Sequence, residues 1–108
     1  MLFKKELVEK ILKGEKTQTR RLNGKYKVGN IYAVCTRWYS PAVAWIKITG
    51  KRTERLGDIS LEDVKKEGFN SLEEFKKFWI KIHGHWDDNL IVYVYDFELV
   101  SPKPQKEV

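Results

Sequence analysis

Cysteine occurs once in 108 residues, at Cys35, so the chain can build neither an internal disulfide nor a multi-thiolate metal site. A reducing compartment is the expectation. No apolar run approaches the roughly 18 residues a membrane-crossing helix needs, and Met1 leads straight into Lys4, Lys5 and Glu6 without an apolar leader. A cytoplasmic protein with no membrane partner is therefore expected. Three prolines and seven glycines are too few for low-complexity or collagen-like character. With 42% apolar and 33% charged residues, the composition is also far from that of a disordered chain. Asn, Gln and Met are scarce beside abundant Lys and Glu, a balance that thermophilic proteins favour.

What remains is a length suited to one domain, because so short a chain folds by burying roughly 60 to 70% of its surface in a single core. That domain is expected over residues 1–100, with residues 101–108, which hold two of the prolines, as an extended or frayed tail. The net charge of +6 is unevenly placed. Residues 1–55 carry 14 Lys and Arg against four Asp and Glu, whereas residues 56–108 carry seven against 11. A surface made from the basic half attracts polyanions, of which nucleic acid is the commonest inside cells. A merely solvated, Lys-rich surface is the competing explanation.

Periodicity then orders the elements. Phe3, Leu7, Val8, Ile11 and Leu12 recur at helical spacing, and Gly14 stands where that helix should stop. Turn signals at Asn23-Gly24 and Gly29-Asn30 precede a strand over 31–36, with Ile31, Ala33 and Cys35 on one face. A second strand spans 42–49, and Gly50 marks a bulge before an extended continuation through Arg55. Ser60 caps a short helix carrying Leu61 and Val64 and ending at Gly68. Ser71 with Glu74 forms a capping box before Leu72, Phe75, Trp79 and Ile82, and Gly84 closes that helix. The last strand, 90–100, is apolar on both sides near its start and is predicted to be buried on both faces. Tyr32, Trp45, Phe75, Phe78, Trp79, Tyr93, Tyr95 and Phe97 are assigned to the core by default.

The least ordinary stretch is GEKTQTRR, residues 14–21, which sets three cations and two hydroxyls on a non-helical backbone. Lys and Arg can neutralise phosphate, and Thr hydroxyls can donate to phosphate or to a base edge. Trp38 and Tyr39, before Pro41, can stack on a base if exposed. Arg37, Lys51, Arg52 and Arg55 can widen the phosphate-binding surface. His83, His85, Asp87 and Asp88 fit no established ligand spacing, and Cys35 reads as an inert buried thiol, so neither a metal nor a cofactor is assigned.

Gly14-x-Lys16 with Thr19 and Arg21, the Lys27-Val28-Gly29-Asn30 turn into a strand, and the terminal Val94-Tyr95-Asp96-Phe97-Glu98 strand together resemble the ASCH domain over about residues 3–100. The resemblance implies the α+β fold of the PUA-like superfamily, a small mixed β-barrel with about three flanking helices. It also implies recognition of RNA or a ribonucleoside in a cleft beside the GxKxxxxR motif, drawing on Lys16, Thr17, Thr19, Arg20 and Arg21. One branch of that family hydrolyses the amide of N4-acetylcytidine, and this chain is similar to it at Lys16, Thr19 and Glu67. The resemblance implies Thr19 as nucleophile, Lys16 as base and Glu67 as proton carrier.

Two physical conditions attach to that chemistry. Lys16 can act as a base only when neutral, which burial and the cations Arg20 and Arg21 promote and an ionised Glu67 opposes. Residues 16 and 19 of a regular strand also face opposite ways, while Thr17, Thr19 and Arg21 share a side. Convergence of Lys16 and Thr19 requires a backbone still turning over residues 15–17, as Gly14 permits. The principal expectation is recognition of RNA or a modified ribonucleoside, with amide hydrolysis as the alternative; a ribonuclease would use the same basic cleft, but no residue is identified as its base.

Overall fold

The computed structural model describes residues 1–102; the tail expected from residue 101 lies outside them except for Ser101, which closes the last strand, and Pro102. The opening stripe forms helix α1, Lys5–Leu12, with Leu7, Val8 and Ile11 buried. Gly14 follows at φ +79°, a left-handed turn that a side chain would resist, and it frees the chain to reverse into the first strand.

Strands β1 (Gln18–Arg21), β2 (Ile31–Val34), β3 (Ala44–Arg55) and β4 (Ile91–Ser101) pair in the order β1-β4-β3-β2, every neighbouring pair antiparallel. A separate parallel bridge joins Leu2 to Cys35. The register between β3 and β4 slips at Trp45/Ile46 and again at Ile48/Gly50, so the bulge predicted at Gly50 is present and β3 continues to Arg55. Such bulges sharpen local twist and bend a strand. The result is an α+β fold, a sheet curled into a half-barrel with three helices.

A 3-10 turn, Leu56–Asp58, leads to α2, Leu61–Lys66, whose Ser60 side chain accepts from the Asp63 N–H. Helix α3, Leu72–His83, is capped by Ser71 accepting from Glu74, and Gly84 ends it at φ +90°. The Glu74 carboxylate bonds the N–H of Asn70, one residue ahead of the cap.

The sheet is covered on both sides. Tyr95 and Phe97 of β4 join Phe3, Val8, Ile11, Val34 and Ile48 in one core, while Val92 and Val94 join Leu56, Val64, Phe75 and Trp79 in the other. Alternation along β4 sends even and odd residues to opposite faces, so the predicted two-sided burial holds. It begins at Val92, because Ile91 is exposed.

Some expected core positions are solvated. Trp45 is 45% exposed, since Ala44 and Ile46 take the inward positions of β3 and alternation leaves Trp45 outward. Leu61, Leu72 and Ile82 are also exposed, because α2 and α3 bury only the narrower line of Val64, Phe75 and Trp79. Strand β2 stops at Val34, and Cys35, half-buried instead of enclosed, is held by backbone bonds to Met1 and Phe3. Among the described residues no helix is long and apolar enough to cross a membrane.

Candidate functional site

Strand β1 is an edge strand only four residues long, and its two faces lead to different surroundings. Gln18 and Arg20 lie opposite Asp96 and Val94 in the register, whereas Thr19 and Arg21 lie opposite Tyr95 and Tyr93. The first pair therefore faces α2 and α3, and the second faces α1. Beyond this edge lies a cleft of about 450 Å3. Leu2, Phe3 and Leu7 line it from the α1 side, Phe75, Trp79 and His83 from α3, and Lys16, Thr19 and Glu67 supply polar groups.

Lys16 is placed by the turn after Gly14. Its N–H bonds the carbonyl of Lys10, the neighbouring Thr17 N–H bonds Lys66, and β1 begins only at Gln18. Residues 15–17 are thus still turning, which lets Lys16 line the same cleft as Thr19. Lys16 is 2% exposed, and its Nζ donates to the Gln18 carbonyl at 2.8 Å and to the carbonyl and Oε1 of Glu67, both at 2.9 Å. All three ammonium hydrogens have acceptors. Burial pulls the Lys16 pKa below its ordinary 10.5; Glu67 pushes the other way, and Arg21 and Arg20 add to the fall.

Glu67 sits at the C-terminus of α2 with 3% exposure. Its Oε2 accepts from Arg20 Nη1 at 2.9 Å, so one carboxylate joins Lys16 to Arg20. Arg20 is committed further: Nη2 reaches Glu54 at 2.9 Å and Asp63 at 3.1 Å, and Nη1 also bonds Gln18 Oε1. Gln18 passes the network to Asp96 through Nε2 at 2.8 Å, and Arg52 closes it on Asp63 at 2.7 Å. Only the Arg20 Nε is buried without a hydrogen-bond partner among the described residues.

On the other face Arg21 Nε donates to Thr19 Oγ1 at 3.2 Å, Nη2 donates to the Leu2 carbonyl at 2.8 Å, and the guanidinium lies 4.6 Å from the Phe3 ring centroid. Because Thr19 accepts from Arg21, its own hydroxyl hydrogen is free for a base or a ligand.

The structure therefore gathers Lys16, Thr19, Arg20, Arg21 and Glu67 around one cleft but leaves out three other sequence candidates. Thr17 joins α2 to β4 through its backbone and does not line the cleft. Trp38 is 76% exposed and borders a neighbouring hollow, and Tyr39 is fully exposed at φ +65°. Phe3, Trp79 and His83 are the site residues that sequence reasoning missed. The His83 ring lies 4.0 Å from that of Trp79, and burial, Arg21 and His85 lower its pKa. Its position on the last turn of α3, four residues after buried Trp79, was the available signal. Arg52, expected on a phosphate-binding surface, is instead paired with Asp63.

A family model described as ASCH domain matches residues 1–101. Similar solved structures include an ASCH domain from Lactobacillus crispatus JV V101, 18% identical, covering 87% of this chain and 70% of that one with a TM-score of 0.66. Protein EF3133 from Enterococcus faecalis V583 is 17% identical, with 95% and 75% of the two chains covered and a TM-score of 0.70. Hypothetical protein PH0355 is 21% identical, with 91% and 94% covered and a TM-score of 0.68. No curated protein sequence matches the chain.

Proposed function

The chain belongs to the ASCH domain family, a PUA-like family linked to RNA binding, and on that premise we propose that the cleft beside β1 receives a single ribonucleoside, free or within RNA. The observation that carries this reading is that two kinds of side chain line the cleft, apolar Phe3, Phe75 and Trp79 and polar Lys16, Thr19 and Glu67. A nucleobase has the same two characters, with apolar faces that stack and a polar edge that hydrogen-bonds. The cleft's volume of about 450 Å3 suits one nucleoside and not a duplex. Calorimetric titration with cytidine and N4-acetylcytidine tests the reading. Saturable binding that Arg21→Ala and Thr19→Ala weaken is expected, and no binding of either compound by folded protein overturns it.

Amide hydrolysis of N4-acetylcytidine is the second reading, favoured by the burial that lowers the Lys16 pKa beside Thr19 and Glu67. In that reaction Thr19 Oγ bonds to the acetyl carbon as its proton passes to neutral Lys16. The carbon–N4 bond then breaks, and Glu67 Oε1, 2.9 Å from Lys16 Nζ, relays that proton to the departing amine. Water hydrolyses the acetyl ester on Thr19 and releases acetate. The expected products are cytidine and acetate, with Lys16→Ala and Thr19→Ala each slower by at least about 100-fold. Binding without turnover would leave recognition alone.

A further inference from the structure

The cations of the basic half fall into two groups. From Lys16 to Thr53 the sequence contains no Asp or Glu, so any carboxylate partner must come from elsewhere. Glu67, Glu54, Asp63 and Asp96 supply partners to Lys16, Arg20 and Arg52. Among the described residues Arg21, Lys25 and Lys51 make no ion pair; Lys25 and Lys51 instead lie over the rings of Tyr26 and of Tyr93 and Tyr95.

Two of these cations, Arg21 and Lys25, line a second hollow of about 600 Å3 together with Tyr26, Tyr32 and Trp38 and no acidic residue. Arg21 and Leu2 line both this hollow and the cleft, so the two adjoin at these residues. The Arg21 guanidinium spends Nε and Nη2 on Thr19 and Leu2, and its Nη1 has no hydrogen bond among the described residues. Tyr26 and Tyr32 are partly buried against the core, but the exposed Trp38 ring beside cations without carboxylate partners offers what a single-stranded nucleic acid requires, a stacking surface for a base and neutralisation for its phosphate.

We propose that this hollow is a second subsite, holding the nucleotide that flanks the base in the cleft, and that the protein's ligand is accordingly a ribonucleotide strand. Trp38 stacks on the flanking base, and Arg21 and Lys25 hold the phosphate between the two nucleosides. The proposal rests on the cleft being a nucleoside site. It gives Trp38 a place that the cleft itself does not, and it explains why Arg21 carries no carboxylate partner while Arg20 carries three.

Calorimetric titration of the full chain with cytidine and with the dinucleotide cytidylyl-(3′→5′)-cytidine tests it. At low salt the dinucleotide should bind about tenfold tighter or more, the size of one base–aromatic stack and one neutralised phosphate. Trp38→Ala and Lys25→Ala, both outside the cleft, should each remove most of that gain while changing cytidine affinity less than about twofold. Equal affinity for the two compounds overturns the second subsite and leaves the cleft reading intact, as does a Trp38→Ala variant that weakens both equally. Binding of neither compound overturns both readings.

Discussion

Arg20 and Arg21 are identical neighbours in sequence, and the strand's alternation gives them opposite circumstances. Arg20 turns toward α2 and meets Glu54, Asp63 and Glu67, with its side chain 1% exposed. Arg21 turns toward α1, stacks on Phe3, meets no carboxylate and borders both hollows. A count of positive residues treats the two alike. The fold uses one to hold β1 to α2 and β3 and leaves the other lining the cleft and the neighbouring hollow. Net charge therefore overstates the cations available to a polyanion, because a buried, paired guanidinium has no counterion to exchange.

Breaking the Arg20 side should have the largest effect. Glu67→Ala leaves buried Lys16 with no carboxylate and Arg20 with only Glu54 and Asp63, and should lower unfolding free energy by about 3 kcal/mol in denaturant titration. Arg21→Ala removes hydrogen bonds at a more open position and should cost only about 1 kcal/mol. Equal losses would erase the contrast. Binding of a short single-stranded RNA sharpens it from the other direction. Arg21→Ala and Lys51→Ala should each reduce the slope of log affinity against log salt by about 0.7, whereas Arg52→Ala, whose guanidinium is already paired with Asp63, should leave that slope unchanged.

Titration of Lys16 provides a third measure. Its folded pKa lies below 10.5, so between that lowered value and 10.5 the unfolded chain holds more protons than the folded one. Stability contributed at this position should therefore rise with pH toward 10.5 and fall as pH drops through the lowered pKa. Urea unfolding across that range should show the rise in wild type, and Lys16→Met should flatten it. A stability loss as small as that of Arg21→Ala, about 1 kcal/mol, is expected from Ser71→Ala through loss of the α3 cap, here with no change in ligand affinity.

Local chemistry made much of this fold legible. Caps at Ser60 and Ser71, stops at Gly14, Gly68 and Gly84, and the bulge at Gly50 follow from residues within a few positions of each feature. Alternation also placed Thr19 and Arg21 on one side of β1, where they hydrogen-bond. The same rule could not say which side would be enclosed. Arg20's carboxylate partners stand 34, 43 and 47 residues away, so nothing near residue 20 distinguishes it from residue 21. The cleft's apolar lining was hidden for a similar reason. Phe3 and Trp79 belong to helical stripes that read as ordinary packing, and only the tertiary arrangement brings both to the lining of one cleft.

β4 gives its odd-numbered Tyr95 and Phe97 to one core and its even-numbered Val92 and Val94 to the other. Neither core can be dismantled without dislodging a strand that the other also needs. Calorimetry should accordingly record one melting transition for the whole domain, and β1, hydrogen-bonded along that strand, should keep Thr19 and Arg21 in register until the molecule melts as a unit.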